Sequence, residues 1–241
     1  ERFYQLPVTV RLQVFGIPKI LWLSVTAGFS LFLPAPEETM ILISVLIPVQ
    51  TTKPNRRKQS MNSLLIKNTS AVITCDSKDT IMEHANILIN NGVISYIGPE
   101  AQTADETLDA SGYLVYPGLI NTHHHLYQTF SRNLPQVQNM ELFDWLTTLY
   151  EIWKNLDQDV IYHSSITGMG ELLKTGCTTC FDHHYVFPDG NSDALLDAQF
   201  SAAKDLGIRM YASRGSMDLS KKDGGLPPDS VVQNVEEILR K

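Results

Sequence analysis

At 241 residues the chain has room for one sizeable domain, or for a domain with an appendage. With 43% hydrophobic, 9% aromatic and 19% charged residues, its main body is not a disordered tail, a collagen-like chain or a coiled coil. A formal net charge of −7 gives no basic footprint for a phosphate backbone, and three cysteines without framework spacing do not make a secreted disulfide scaffold. The expectation is a cytoplasmic protein with a small-molecule ligand and no nucleic-acid partner.

Residues 1–60 differ from the rest. Ile20 to Leu33 and Met40 to Val49 are apolar runs divided by Pro34, Pro36, Glu37 and Glu38, and a basic stretch, Lys53 to Lys58, follows. Neither run reaches the roughly 18–20 residues of a spanning helix, so a membrane role is not expected. A membrane hairpin, a targeting segment and sequence outside the mature protein compete here, and the third is favoured because a clean strand pattern starts just after Met61.

Residues 61–112 read as short strands, mostly in an antiparallel sheet. Leu64 to Ile66 and Ala71 to Thr74 flank the polar Asn68 to Ser70. Ala85 to Asn90 alternates, Asn91-Gly92 is a type I′ turn signal, and Val93 to Ile97 alternates back. Leu108 to Tyr116 continues as an extended stretch. From residue 113 the period changes. Leu114 to Ile120 is a near-continuous apolar run, expected for a strand buried on both faces. Met140 to Asn155 carries Leu142, Leu146, Leu149 and Trp153 at helical spacing. Asp157 to Lys174 is a second helix, with Asp157 as N-cap and Gly176 as C-cap signal. Thr178 to Val186 is a strand, Asp193 to Leu206 a helix, Ile208 to Ser213 a strand, and a last helix runs from Asp229 to Lys241. Strands alternating with helices are the grammar of parallel β/α units.

The strongest chemical feature is Asn121-Thr-His-His-His125, directly after the apolar strand. Side chains alternate along a strand, so His123 and His125 share a face and His124 does not. Two imidazoles at the C-terminal end of a strand, where the loops of an α/β barrel gather, can reach one divalent ion. Cys177 and Cys180 have no second pair for a structural zinc site and read as packing.

Pro117-Gly-Leu-Ile-Asn-Thr-His-His-His125 resembles the first-strand signature of the amidohydrolase superfamily. Glu141 to Leu146, Thr178 to Tyr185, Arg214 to Met217 and Gly224 to Asp229 resemble the branch that holds the 8-oxoguanine deaminases, beside the triazine and guanine aminohydrolases. The resemblance covers 61–241 and not 1–60. It implies an α/β fold: the first part, about three β/α units, of a (β/α)8 metal-dependent hydrolase barrel over 113–241. Before it, residues 61–112 would form part of a small composite β-sandwich. It also implies hydrolytic deamination of an amino-heterocycle, 8-oxoguanine to urate and ammonia, with guanine or a triazine as alternative substrates. A non-catalytic truncated protein is the rival of another class.

For single residues, the resemblance makes His123 and His125 metal ligands, for zinc or else iron. Gln128 would contact the heterocycle, its amide donating and accepting at once; the bland alternative is a solvated loop glutamine. Trp145 either walls the pocket or packs in the core. Of His183 and His184, alternation sends one to the mouth, and His184 is carried as the substrate-side residue. Arg214 binds a ring carbonyl or pairs with a carboxylate. Asp182 is expected to be buried and hydrogen-bonded. The family takes its further ligands and proton shuttles from later strands, so the 241 residues alone are expected to be inactive and marginally folded. The complete family member is expected to be a homo-oligomer.

Overall fold

The computed structural model describes residues 29–34, 40–44, 63–190 and 194–239. The readings of the leader fall mostly outside these residues. Within it, β1 (Phe29–Pro34) and β2 (Met40–Ser44) pair antiparallel, and β1 also pairs with β9 (Leu114–Pro117). Among the described residues no helix is long and apolar enough to cross a membrane.

The chain divides into two compact units. The first comprises 1–120, 171–179 and 207–209; the second comprises 121–170, 180–206 and 210–241.

In the first unit, β3 (Ser63–Lys67), β6 (Asn86–Asn90), β7 (Val93–Gly98) and β8 (Glu106–Asp109) form one sheet in the order β7-β6-β3-β8. β4 (Ala71–Ile73) and β5 (Ile81–Glu83) join β9, β1 and β2 in another, ordered β2-β1-β9-β4-β5. The hairpin between β6 and β7 turns at Asn91-Gly92, with φ of 48° and 78°, the doubly left-handed backbone that a type I′ turn requires. The expectation of mostly antiparallel pairing over 61–112 agrees with β3–β6, β6–β7 and β4–β5, but that of a single sheet does not hold. There are two sheets, and β3 with β8 and β4 with β9 are parallel pairs. Alternation along a strand reports burial, not the direction of its neighbour, so these pairings carried no local signal. Leu64, Ile66, Ile87 and Ile89 from one sheet meet Val72 and Val115 from the other in a closed apolar core. Burying each such side chain contributes about 1.5–3 kcal/mol.

The apolar run 114–120 is not one strand. It breaks at Gly118 into β9 and β10 (Leu119–His124), which belong to different sheets. A Cβ on Gly118 would lie 2.1 Å from Thr178 Oγ1, so only glycine lets the neighbouring strand approach there. Nor is the run buried on both faces, since Leu119 and Ile120 are 50% and 66% exposed.

β10 lies in a three-stranded sheet with β11 (Cys177–His184) and β12 (Arg209–Arg214), in that order. Helices α1 (Leu142–Trp153) and α2 (Gln158–Lys174) link β10 to β11, and α3 (Leu195–Leu206) links β11 to β12. Asp157 caps α2 as expected, its Oδ1 accepting the Val160 N–H at 2.8 Å. Gly176 and Gly207 follow α2 and α3 with φ of 85° and 76°. The start expected for α3 at Asp193 lies outside the described residues.

The last expected helix is broken. Asp229–Val231 is a single 3₁₀ turn, Val232 is extended, and α4 (Val235–Leu239) starts anew. Asn234 restarts it by a reciprocal cap: its Oδ1 accepts the Glu237 N–H and its own N–H donates to Glu237. Around Trp153, residues Tyr127, Leu149, Tyr150, Leu156, Ile161, Val186, Phe187 and Leu195 form the core of the second unit.

Candidate metal centre

The ends of β10, β11 and β12 supply the candidate residues, all in the second unit. His123, at the end of β10, and His125, just past it, have their Nε2 atoms 3.3 Å apart. Two nitrogens each 2.0–2.1 Å from a tetrahedral ion are separated by about 3.3–3.4 Å, so the pair fits as two ligands of one zinc-sized ion. His125 Nδ1 lies 2.7 Å from the carbonyl oxygen of His183. A carbonyl can only accept, so Nδ1 carries the proton and Nε2 keeps its lone pair. Among the described residues, no group of three or more His, Cys, Asp and Glu side chains is arranged to hold a metal ion.

The backbone after His125 turns at once into a 3₁₀ helix, Leu126–Ser131. Its first N–H, from Leu126, donates to Asp182 Oδ1 at 2.6 Å. Asp182 is fully buried, and its Oδ2 accepts from Gln199 Nε2 of α3 at 2.8 Å. Burial pushes the Asp182 carboxyl up, while the two N–H donors and the nearby His125 pull it down. Gly168 of α2 closes the other side. A Cβ there would come within 2.9 Å of Leu126 and 3.0 Å of Thr129.

From Thr178 on, β11 alternates: Thr178, Cys180, Asp182 and His184 are buried, while Phe181 and His183 are not. His183 therefore faces the imidazole pair, its ring 5.9 Å from that of His125, with Nδ1 bonded to Ser213 of β12. Gly215 makes room for it, since a Cβ there would lie 2.8 Å from His183 Cε1. His184, carried from the sequence as the substrate-side residue, is instead a core histidine. It stacks edge-on against Tyr127 and Phe187, and its Nε2 donates to the Val186 carbonyl at 2.9 Å. The correction follows from strand parity: the residue beside a buried Asp182 on the same face is 184, not 183.

Burial pushes His184 down to about 4. The sign follows directly. Below about 6.5 the unfolded chain takes up a proton that the folded chain refuses, so stability falls with falling pH and the loss levels off near 4. The expected loss between pH 7 and pH 4 is on the order of 2–4 kcal/mol from this residue. Urea unfolding at several pH values checks it, since His184→Gln should flatten the slope in that window.

Gln128 lies in the 3₁₀ helix, its Nε2 3.2 Å from the Tyr127 hydroxyl and 3.5 Å from that of Tyr185. The Tyr185 ring meets the His125 ring edge-on at 5.4 Å. Burial and Tyr185 push Tyr150 up to about 12 and Tyr127 higher still, so both stay protonated. Tyr185 was not singled out in the sequence; its place two residues after His183, on the same parity, is the signal that finds it. Trp145 packs edge-on against Trp153 at 5.5 Å, in the core cluster. Arg214 lies over the Phe187 ring at 4.4 Å and bonds to Gln233 and to the Gly215 carbonyl. The structure thus brings His123, His125, Gln128, His183 and Tyr185 together, and sets Trp145, His184 and Arg214 among packing partners.

The sequence model of the Amidohydrolase family matches residues 114–241, more than half of the chain. The chain belongs to this family. Among its amidohydrolase relatives, 8-oxoguanine deaminase of Pseudomonas aeruginosa is 40% identical over 183 residues, covering 74% of this chain and 40% of the relative. Hydroxydechloroatrazine ethylaminohydrolase of a Pseudomonas species is 34% identical over 192 residues, covering 74% and 40%. The crystal structure of atrazine chlorohydrolase from Arthrobacter aurescens TC1, complexed with zinc, superimposes with a TM-score of 0.66 at 34% identity, covering 73% of this chain and 41% of that one. This amidohydrolase chain therefore spans about two fifths of the length of the relatives it matches.

Proposed function

We propose that this chain carries the first ligands and part of the substrate pocket of a metal-dependent deaminase acting on a purine-type amino-heterocycle, 8-oxoguanine being the favoured substrate. The observation that carries the metal reading is the convergence of the two Nε2 atoms at 3.3 Å, with the tautomer of His125 set by the His183 carbonyl. The sheet order β10-β11-β12, with helices between successive strands, is what the opening of a (β/α)8 barrel requires. The resemblance to a deaminase of 8-oxoguanine at 40% identity supports the substrate. Buried Cys177 and Cys180, outside any disulfide, agree with a reducing cytoplasmic setting.

Held by His123 and His125 with further ligands, a divalent ion, zinc in the favoured case, supplies Lewis-acid activation of water at neutral pH. The chain's own residues bind and orient. Gln128 has its Nε2 within reach of two tyrosine hydroxyls, and its Oε1 would accept from a ring N–H of the substrate. Tyr185 flanks His125 edge-on, leaving an aromatic wall suited to a flat heterocycle. His183, tied to Ser213, stands beside the imidazole pair, and burial and the other two histidines push its pKa down. A neutral imidazole there can accept a proton near the site.

A triazine-type aminohydrolase is the second reading, favoured by the 34% identity to the two triazine-acting relatives. Calorimetric titration of the zinc-supplemented chain with 8-oxoguanine, guanine and an aminotriazine separates them. We expect 8-oxoguanine to bind most tightly, and Gln128→Ala to weaken it roughly 5- to 10-fold, the worth of one hydrogen bond. Tightest binding of the triazine would transfer the assignment to the second reading. Equal, weak binding of all three would remove both.

A further inference from the structure

His125 is the N-cap of the 3₁₀ helix Leu126–Ser131, yet no side-chain hydrogen bond of its own caps that helix. The first free N–H of the turn, on Leu126, would be an orphan donor in a buried place. It is met from another strand: Asp182 of β11 accepts it at 2.6 Å. The next residue of β11, His183, gives its carbonyl to His125 Nδ1 at 2.7 Å. Two successive residues of one strand therefore grip His125, one through the backbone that follows it and one through its ring. The grip is itself braced, because the second oxygen of Asp182 accepts from Gln199 of α3 at 2.8 Å. Both side chains are completely buried. A carboxylate and an amide in such a place are costly compared with a well-packed apolar pair, so packing alone gives no reason for them.

We propose that Asp182 and Gln199 are positioning residues of the metal centre, holding the turn after His125 so that its Nδ1–H keeps donating to the His183 carbonyl and its Nε2 converges with that of His123. This rests on the reading of His123 and His125 as ligands. The carboxylate acts by geometry rather than charge. In Asp182→Asn, the amide oxygen still accepts from Leu126, and Gln199, whose Oε1 has no partner, can turn its amide to accept from the new Nδ2.

The test uses the whole chain and two readouts: the ring ¹⁵N spectrum of His125 without metal, which reports its tautomer, and Co²⁺ affinity from visible absorption. Asp182→Ala should mix the tautomers of His125 and lower Co²⁺ affinity about 10- to 100-fold, as removal of an outer partner of a ligand does. Asp182→Asn should restore both. A folded Asp182→Ala with an unchanged tautomer and unchanged affinity overturns the proposal, as does an Asp182→Asn as impaired as the alanine variant. If Asp182→Ala does not fold, Gln199→Met carries the test, with a smaller loss in both readouts expected and no loss in either overturning it. Should the unsubstituted chain bind no Co²⁺ while the tautomer responds as stated, the ligand reading fails and the positioning role stands.

Discussion

His123→Asn and His125→Asn are each expected to lower Zn²⁺ affinity of the chain by at least about 100-fold, because loss of a direct ligand costs more than the 10- to 100-fold loss of an outer partner. The pair also separates ligation from structure. His125 spends its Nδ1 proton on the bond to the His183 carbonyl, and His123 has no such bond to that strand. His125→Asn should therefore also lose about 1 kcal/mol of stability, and His123→Asn little. Zinc competition against a chromophoric chelator reads the first effect, and urea unfolding the second. Unchanged zinc affinity in both variants would remove the metal centre from this strand.

Trp153→Ala should be the most damaging single change to the second unit, costing about 3–5 kcal/mol. The indole is 1% exposed, with Tyr127, Trp145 and Tyr150 edge-on around it at 5.2–5.6 Å. Its Nε1 donates to Ser131 Oγ at 3.0 Å, and that hydroxyl donates to the Gln128 carbonyl at 3.0 Å. Truncation thus leaves both a large void and a loosened 3₁₀ helix beneath the site. Against a typical total stability of about 5–15 kcal/mol, such a loss would show as a large drop in urea midpoint. Trp153→Phe should retain most of the packing and lose chiefly the hydrogen bond. A loss under about 1 kcal/mol for the alanine variant would contradict the central place given to this ring.

The imidazole pair and its strand could be read from residues alone, because the parity of a strand fixes which of three consecutive histidines face together. The same parity could have decided between His183 and His184. Asp182 was expected to be buried, and a buried Asp182 on a strand places His184 on the buried side and His183 opposite. Helices α1 to α3 were legible because their apolar spacing and caps are local signals. What was not legible depends on partners distant in sequence. The parallel pairing of β3 with β8 joins segments some forty residues apart. The break of the apolar run at Gly118 is decided by Thr178 on another strand. The role of Arg214 depends on Phe187 and Gln233, and no pattern around Arg214 announces either. The last helix starts later than expected: the Asp229 carboxylate is held by Lys222, and Asn234 makes the capping bonds with Glu237 instead.

The grip on His125 has a kinetic side. His123 and His125 are neighbours from the moment the chain is made, but the carboxylate and carbonyl that fix His125 come from residues 57 and 58 positions later. Closing loops of that length delays contacts that nearby residues make at once. If His123 and His125 are ligands, a metal ion present during folding would first meet two freely tautomerising imidazoles, because the paired geometry exists only after β11 has docked. Ion capture would then be a late event, and zinc is expected to change the unfolding rate of the chain far more than its folding rate.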